Sequence, residues 1–582
     1  MSPKSRIWIR RTVDAVVVIG LTALIVDLML NRKKDPPHSE FAAQVNLVPI
    51  ENMAVQHLGR VRSFSSMAAS FMDSITHGKS VAGQSDVFTY IDMMLSPAAY
   101  EQAAAIQVSK KLIREEIATP LRALGTVPEE EIESFMATGM ISKTLLNLPP
   151  VLQKLREMER DAIRTAGPVN EINNAIGSMR PEILAQNWQF IPPTSGNRQD
   201  AWHDPTEAGL LTFIPMSDML LGNLNLPNVP PEAKTATNQA WSSFVSLWRT
   251  GDAEGVSAAA EKLAAAASAI APDIYPDSAR IKLENFYTKW DYFTWTWMLY
   301  LVASLLLLIA AIYRWSWARW TGLTMLLFAF GWHTASVSIR WYLAGRVPNA
   351  NMFEAITAST WLGCLGAFAL EFFARKSALK NLFALSASVA AMIAMMFTHF
   401  MPATLPGAIE NLRPALDDIW LYIHTNMIIW SYAVIAMAAI LALLYLRNRL
   451  GTGDRSYSRA GGFGGMVMDG HKGFIMNDHT SAGVVLDGAT MVLMEAAFVM
   501  LWAGTVMGAI WADHSWGRPW AWDPKEVYAL CTFIIFLLLV HIRFMVRDKG
   551  LWTAWLALAG CAVMIFNWTV VNFVIAGLHS YA

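Results

Sequence analysis

Four histidines and one tryptophan-rich segment hold the side chains of this 582-residue chain best suited to chemistry. The segment is Trp516-Gly517-Arg518-Pro519-Trp520-Ala521-Trp522-Asp523-Pro524-Lys525-Glu526, and the histidines are His424, His541, His579 and His333. A neutral imidazole is a metal ligand, and two of them, one on each face of a porphyrin, satisfy haem iron. The porphyrin plane is flat and apolar and suits indole faces, while its propionates want an arginine, a lysine, an indole N–H or a backbone donor. Trp511, Trp516, Trp520 and Trp522 offer the aromatic surface, Arg518 and Lys525 the cations, and Pro519 and Pro524 stiffen the segment. The plain alternative is membrane anchoring, which is what interfacial tryptophans most often do.

Something must carry these groups to one place, and composition says what. Hydrophobic residues make up 54% and charged residues only 16%, against about 25% charged in soluble domains. Apolar runs near 293–313, 320–343, 353–373, 382–400, 419–446, 488–511, 527–546 and 551–575 are long enough to span a bilayer. A further run, Thr12 to Leu30, follows Lys4, Arg6, Arg10 and Arg11 and reads as an uncleaved anchor. The expected fold is all-α, a polytopic membrane bundle of about nine transmembrane helices. Between residues 32 and 290 the composition is that of a soluble domain. Helical periodicity there covers Tyr100–Ile117, Pro128–Ala137, Val151–Arg164 and Ala233–Ala271, so this domain is expected to be mainly helical. The expected division is an anchor over 1–31, that domain over 32–290, and an eight-span membrane domain over 291–582.

Loop charge orients the spans. Arg314 and Arg319, then Lys376 and Lys380, then Arg447, Arg449 and Arg455, then Arg547 and Lys549 fall on one side, which the positive-inside rule makes cytoplasmic. The glycine-rich connection 447–487, with His471 and His479, then lies inside. His424, His579 and the tryptophan-rich segment 511–526 meet at the outer surface. His541 lies toward the inner end of its span, where an ionisable side chain is costly and points to function. His333 also lies within a span, but its Thr and Ser neighbours could satisfy it structurally. For His399 and His514 solvation at loop ends is the better reading. A net charge of −1 gives no sign of a nucleic-acid partner. The three cysteines lie in apolar runs, without a CxxC, and imply no disulfide framework.

Trp516 to Glu526 resembles the "WWD" signature of the haem-handling proteins of cytochrome c maturation. Val527 to Arg543, Gly577-Leu578-His579-Ser580-Tyr581, Gly345 to Glu354 and Pro414 to His424 are similar to the CcsA (ResC) subunit of the System II cytochrome c synthase. The resemblance covers about residues 285 to 582. It implies that His424 and His579 ligate haem b, as substrate and bound ligand, beneath Trp516, Trp520, Trp522 and Asp523. It also implies that His541 ligates haem crossing the membrane, with a CcsB (ResB) partner usually supplying the opposing ligand; His333 is a possible substitute. The expected activity is presentation of haem for thioether attachment to the CxxCH segment of apocytochrome c, in the bacterial inner membrane. No residue is assigned as acid, base or nucleophile. A CcmC-type haem chaperone and a non-haem transporter are the alternative readings. Leu58 to Phe64 resembles a segment of longer bacterial members but departs from it at Ser63-Phe64-Ser65-Ser66, and no function is carried onto it.

Overall fold

The computed structural model describes Gly20, residues 39–192 except 58 and 162–163, residues 214–215, residues 231–458 except 274, 290–292, 294, 314, 375–380, 402–404, 406 and 410–415, residues 481–571, and Ile575. The expected anchor (Gly20 apart), His471, His479 and His579 lie outside the described residues. The chain forms two compact units, one of residues 33–290 and one of residues 1–32 with 291–582.

The first unit is mainly helical with two small sheets. Strands β1 (Ala54–His57), β2 (Arg60–Ser63), β5 (Gln189–Ile191) and β6 (Ile214–Pro215) form one sheet in the order β2-β1-β5-β6. β3 (Ala104–Gln107) pairs antiparallel with β4 (Met140–Ser142). The expected helix over Tyr100–Ile117 is therefore corrected: β3 divides a short helix at Ala98–Gln102 from Lys111–Leu124. Its residues Ala105, Ile106 and Gln107 are all buried, and a fully buried strand lacks the alternation that distinguishes it from a helix. The expected helix over Ala233–Ala271 breaks at Gly251, whose φ is +71°. Asp252 then caps a new helix by accepting from the Gly255 N–H at 3.0 Å.

Ser63 and Ser66, where the chain departs from the related segment, have structural work. The Ser63 hydroxyl accepts from the Ser66 N–H, capping helix Phe64–Thr76. Arg62 donates to Ser66 Oγ from Nε at 3.0 Å, and Glu284 receives Arg60 and the Ser63 N–H. His57 lies at the end of β1 beside this cluster. Burial first, then the positive charges of Arg62 and Arg60, push its imidazole down from 6.5 to about 4.

Among the described residues of the second unit, eight helices are long and apolar enough to cross a membrane. They are α1 (Thr296–Tyr313), α2 (Ser316–Ala344), α3 (Met352–Ala374), α4 (Leu382–Phe400), α5 (Ile419–Thr452), α6 (Ala482–Trp516), α7 (Pro524–Met545) and α8 (Lys549–Phe566). This is the all-α polytopic architecture expected, and the chain is a multi-pass membrane protein. α1, α2 and α4 share one apolar core with Cys364 and Ala367 of α3. α5 to α8 share another, in which Ile435, Met494, Phe536 and Ala557 meet. Helix ends exceed the apolar runs. α5 continues to Thr452 and α6 begins at Ala482, so the connection between these helices is shorter than the expected 447–487. Ser481 caps α6 through the Val484 N–H. Polar flanks extend a helix at no cost where water or a cap serves the terminal backbone groups.

One end of the α5–α8 bundle is tied by a buried ion pair. Arg543 of α7 donates to both carboxylate oxygens of Asp487 of α6, at 2.7 and 2.6 Å, and to the Ser458 carbonyl. Beside it Arg449 and Asp548 form a second bidentate pair.

His57 makes the first unit acid-sensitive. Between about 6.5 and about 4 the unfolded chain takes up a proton that the folded chain refuses, so stability falls as pH falls through that window. Thermal denaturation of the full chain at pH 4.5 and 7.5 should show a smaller difference in His57→Gln than in wild type. Equal pH sensitivity in the two proteins would remove His57 from this role.

Candidate functional site

α5 and α6 pack at very short range, and His424 lies at that contact. It occupies the second turn of α5, whose start is capped by Asp418 accepting from the Trp420 N–H at 2.7 Å. His424 Nδ1 lies 2.6 Å from the Gly504 carbonyl oxygen of α6. A carbonyl can only accept, so Nδ1 carries the proton and Nε2 carries the lone pair. That is the tautomer that can ligate a metal through Nε2.

The contact continues outward along both helices to the tryptophan-rich segment. Trp511 is buried against Leu416 and Leu421, with Trp420 and Trp516 packed on the same cluster. Trp511 and Trp516 meet edge to face at 4.9 Å, a favoured aromatic geometry. His514 Nδ1 lies 3.1 Å from Asp418, at the cap of α5. Sequence reading expected an outer loop over 511–526. The helix instead runs to Trp516 and ends at Gly517, φ +68°, so the loop is only 517–523. Trp511 and Trp516 are its helical floor.

Within the loop Trp520 is half-buried and Trp522 is 72% exposed. Their rings cross at 6.0 Å and 87°. Trp522 has φ +58°, the left-handed region that costs a residue with a Cβ about 1–2 kcal/mol. Glu526 holds it there. Its Oε2 accepts from the Ala521 N–H at 2.8 Å and the Asp523 N–H at 3.2 Å, one on each side of Trp522. Asp523 reciprocates as the N-cap of α7, accepting from the Lys525 N–H at 3.1 Å. The pair is a capping box with Pro524 in the first turn. Asp523 is only 4% exposed.

His541 and His333 lie elsewhere. His541 is exposed on α7, about 26 Å along the helix from Pro524 at ~1.5 Å per residue. Its Nδ1 donates to the Leu537 carbonyl at 2.7 Å. Arg543, two residues on and about 200° around the helix, points into the bundle, so His541 faces out of it. His333 is 1% exposed and meets the Tyr300 hydroxyl at 3.1 Å. A ring so enclosed would reach a porphyrin only if α1 to α3 separated.

No role was expected for Arg340, Arg346 or Glu354. Glu354 is fully buried and receives Arg340 at 2.9 Å and Arg346 at 2.7 Å. Arg340 also donates to the Gly407 and Ala408 carbonyls at 2.7 and 2.9 Å, holding the segment between α4 and α5. Asn349 donates to Thr425, next to His424, at 2.8 Å. Ionisable residues at the ends of apolar runs were the available signal. Beyond α8 the chain forms a π-helix, Asn567–Val571, where Asn567 donates to the Tyr432 hydroxyl at 2.9 Å. Such turns are frequent at functional sites.

Removal of the Glu526 carboxylate should release Trp522. In Glu526→Ala, chymotryptic cleavage after Trp520 or Trp522 should speed up by roughly a hundredfold or more, the weight of two backbone hydrogen bonds to a charged group. Glu526→Gln, which keeps one acceptor oxygen, should retain most of the protection. Unchanged cleavage in Glu526→Ala would show that the loop is held otherwise.

Comparison with known proteins bears on this unit. The protein-family model described as "Cytochrome C assembly protein" matches residues 349–579. The chain is 31% identical over 290 residues to the "Cytochrome c biogenesis protein CcsA" of Parasynechococcus marenigrum, covering 48% of this chain and 93% of that one. It is 30% identical over 254 residues to the protein of the same description from a Synechococcus species, covering 43% and 80%. It is also similar to "Protein NrfI" of Wolinella succinogenes, 28% identical over 326 residues, covering 53% of this chain and 32% of that one. The eight-helix unit and these relatives agree: the chain belongs to the CcsA family of cytochrome c biogenesis proteins.

Proposed function

We propose that this protein holds haem b at the extracytoplasmic face of the bacterial inner membrane for thioether attachment to the CxxCH segment of apocytochrome c. The axial ligands in this reading are His424 and His579. The observation that carries it is the Nδ1–H of His424 donated to Gly504, which leaves Nε2 as the ligating nitrogen below the loop of Trp520 and Trp522. Metal-bound histidines ordinarily have their second nitrogen held in this way.

The side chains divide the work. His424 fixes the ring's position through iron, and Trp520 and Trp522 give its apolar face a surface. Holding haem still against two substrate thiols turns an encounter between separate molecules into an oriented reaction. The bond-making itself belongs to the haem vinyls and the substrate cysteines. The CxxCH histidine then takes the place of one protein ligand, which allows release.

His541 fits an earlier position on the route. It faces out of the bundle near the opposite end of α7, and only 12% of that span is buried, the least of the eight. An exposed histidine on a sparsely covered helix suits a haem shared with a second membrane protein, here a CcsB/ResB-like partner supplying the opposing ligand. Basic residues at the Arg449 and Arg543 end make that end cytoplasmic, and the 33–290 unit then lies outside, toward apocytochrome c.

Protein purified with its partner should show a bis-imidazole haem spectrum, and cells expressing the pair should make covalent cytochrome c. His424→Ala and His579→Ala should each lose that spectrum and reduce cytochrome c by more than about tenfold, since loss of a ligand's supporting bond alone costs roughly ten- to a hundredfold. Wild-type haem content and spectra in both variants would sink the assignment. Haem-loaded protein with no covalent product would make it a chaperone instead.

A further inference from the structure

We infer that Gly508, together with the carbonyl of Gly504, is a positioning device that sets the tautomer and the orientation of the His424 ring. The ground is steric and independent of any ligand. A Cβ at position 508 would lie 2.6 Å from both Cε1 and Nδ1 of His424, and 3.2 Å from Cγ. Non-bonded carbons prefer about 3.5–4.0 Å, and an imidazole is rigid, so the whole ring would have to turn out of the α6 groove. Turning it would break the 2.6 Å bond from Nδ1 to Gly504. The Nδ1–H form would then lose the acceptor that favours it, and the lone pair the orientation that this bond gives it.

Gly504, one helical turn deeper, is the internal control. A Cβ there would meet the side-chain end of Ile428, with Cδ1 at 2.7 Å and Cγ1 at 3.0 Å. An isoleucine terminus can change rotamer at modest cost, and the Gly504 carbonyl would remain. The two glycines thus make the same helix–helix contact but differ in what they face. A role limited to close helix packing predicts equal effects from both; ring positioning predicts that only Gly508 matters to His424. This inference rests on the proposed haem reading for its importance, while its geometry can be tested without haem.

Full-length protein without haem is treated with diethylpyrocarbonate, and modification of His424 is followed by mass spectrometry. In Gly508→Ala the reaction should be roughly two- to tenfold faster, the weight of one neutral hydrogen bond. Gly504→Ala should match wild type. With added haemin, Gly508→Ala should bind roughly ten- to a hundredfold more weakly, as loss of a ligand's supporting bond does, and Gly504→Ala should not. Equal behaviour of the two variants, or no change in Gly508→Ala, would overturn the inference. Should Gly508→Ala fail to accumulate, His424→Asn decides: its amide keeps a donor near the Nδ1 position, so it should melt as wild type does while His424→Ala melts lower. Equal melting of these two variants would also overturn it. Haem binding that survives His424→Ala would refute the haem reading alone, because the modification rates still judge the positioning.

Discussion

The closeness of α5 to α6 governs everything at the His424 end. Inside a bilayer no hydrophobic effect draws helices together, so they associate through close packing and hydrogen bonds, and small residues permit both. Gly508 leaves room for the His424 ring, so that a main-chain carbonyl of one helix meets an imidazole of the other. That carbonyl has a second lone pair beyond its own helical bond. From this contact the two helices run outward together through Trp511 and the His514–Asp418 pair. The tryptophan-bearing loop is therefore placed by the helix pair and only finished by its own cap.

Charges buried at both ends of the bundle serve irregular backbone. Arg340 takes up the carbonyls of Gly407 and Ala408, and Arg543 that of Ser458. Non-helical chain at membrane depth needs such partners, since no water is there to replace them. Each guanidinium is in turn held by a carboxylate that is itself buried, Glu354 or Asp487. Removing one member would strand the other, at a cost of about 3–5 kcal/mol. These clusters fix where connecting segments lie, and so which helix ends face one another.

How much of this was legible in the sequence varied with the kind of signal. The eight spans were readable because twenty apolar residues leave few alternatives. Their ends were not, because Asp513, His514 and Ser515 extend α6 in a way that hydropathy cannot register. The tryptophan-rich segment was readable as a unit, but its division into helical floor and loop was not. The spacing Asp523-Pro524-Lys525-Glu526 spelled a capping box, a role for Asp523 that went unnoticed beside its expected place in a haem site. Gly504 and Gly508, at the four-residue spacing of close helix contacts, were equally available and passed over. Buried strand β3 was missed because it offers no periodicity of its own. The partnership of Arg340 with Glu354, which joins residues on different helices, had no local trace.

α6 also sets a length. Asp487, which anchors the buried ion pair, and Gly508, which faces His424, are about 31 Å apart along it, and the hydrocarbon core of a bilayer is about 30 Å thick. The helix is thus a gauge matched to the membrane. Hydrophobic mismatch would act on the two ends together: a thicker bilayer would draw the His424 contact and the loop above it into lipid, and a thinner one would lift them into water. Lipid composition becomes a determinant of how accessible that end is, without any change in the protein itself.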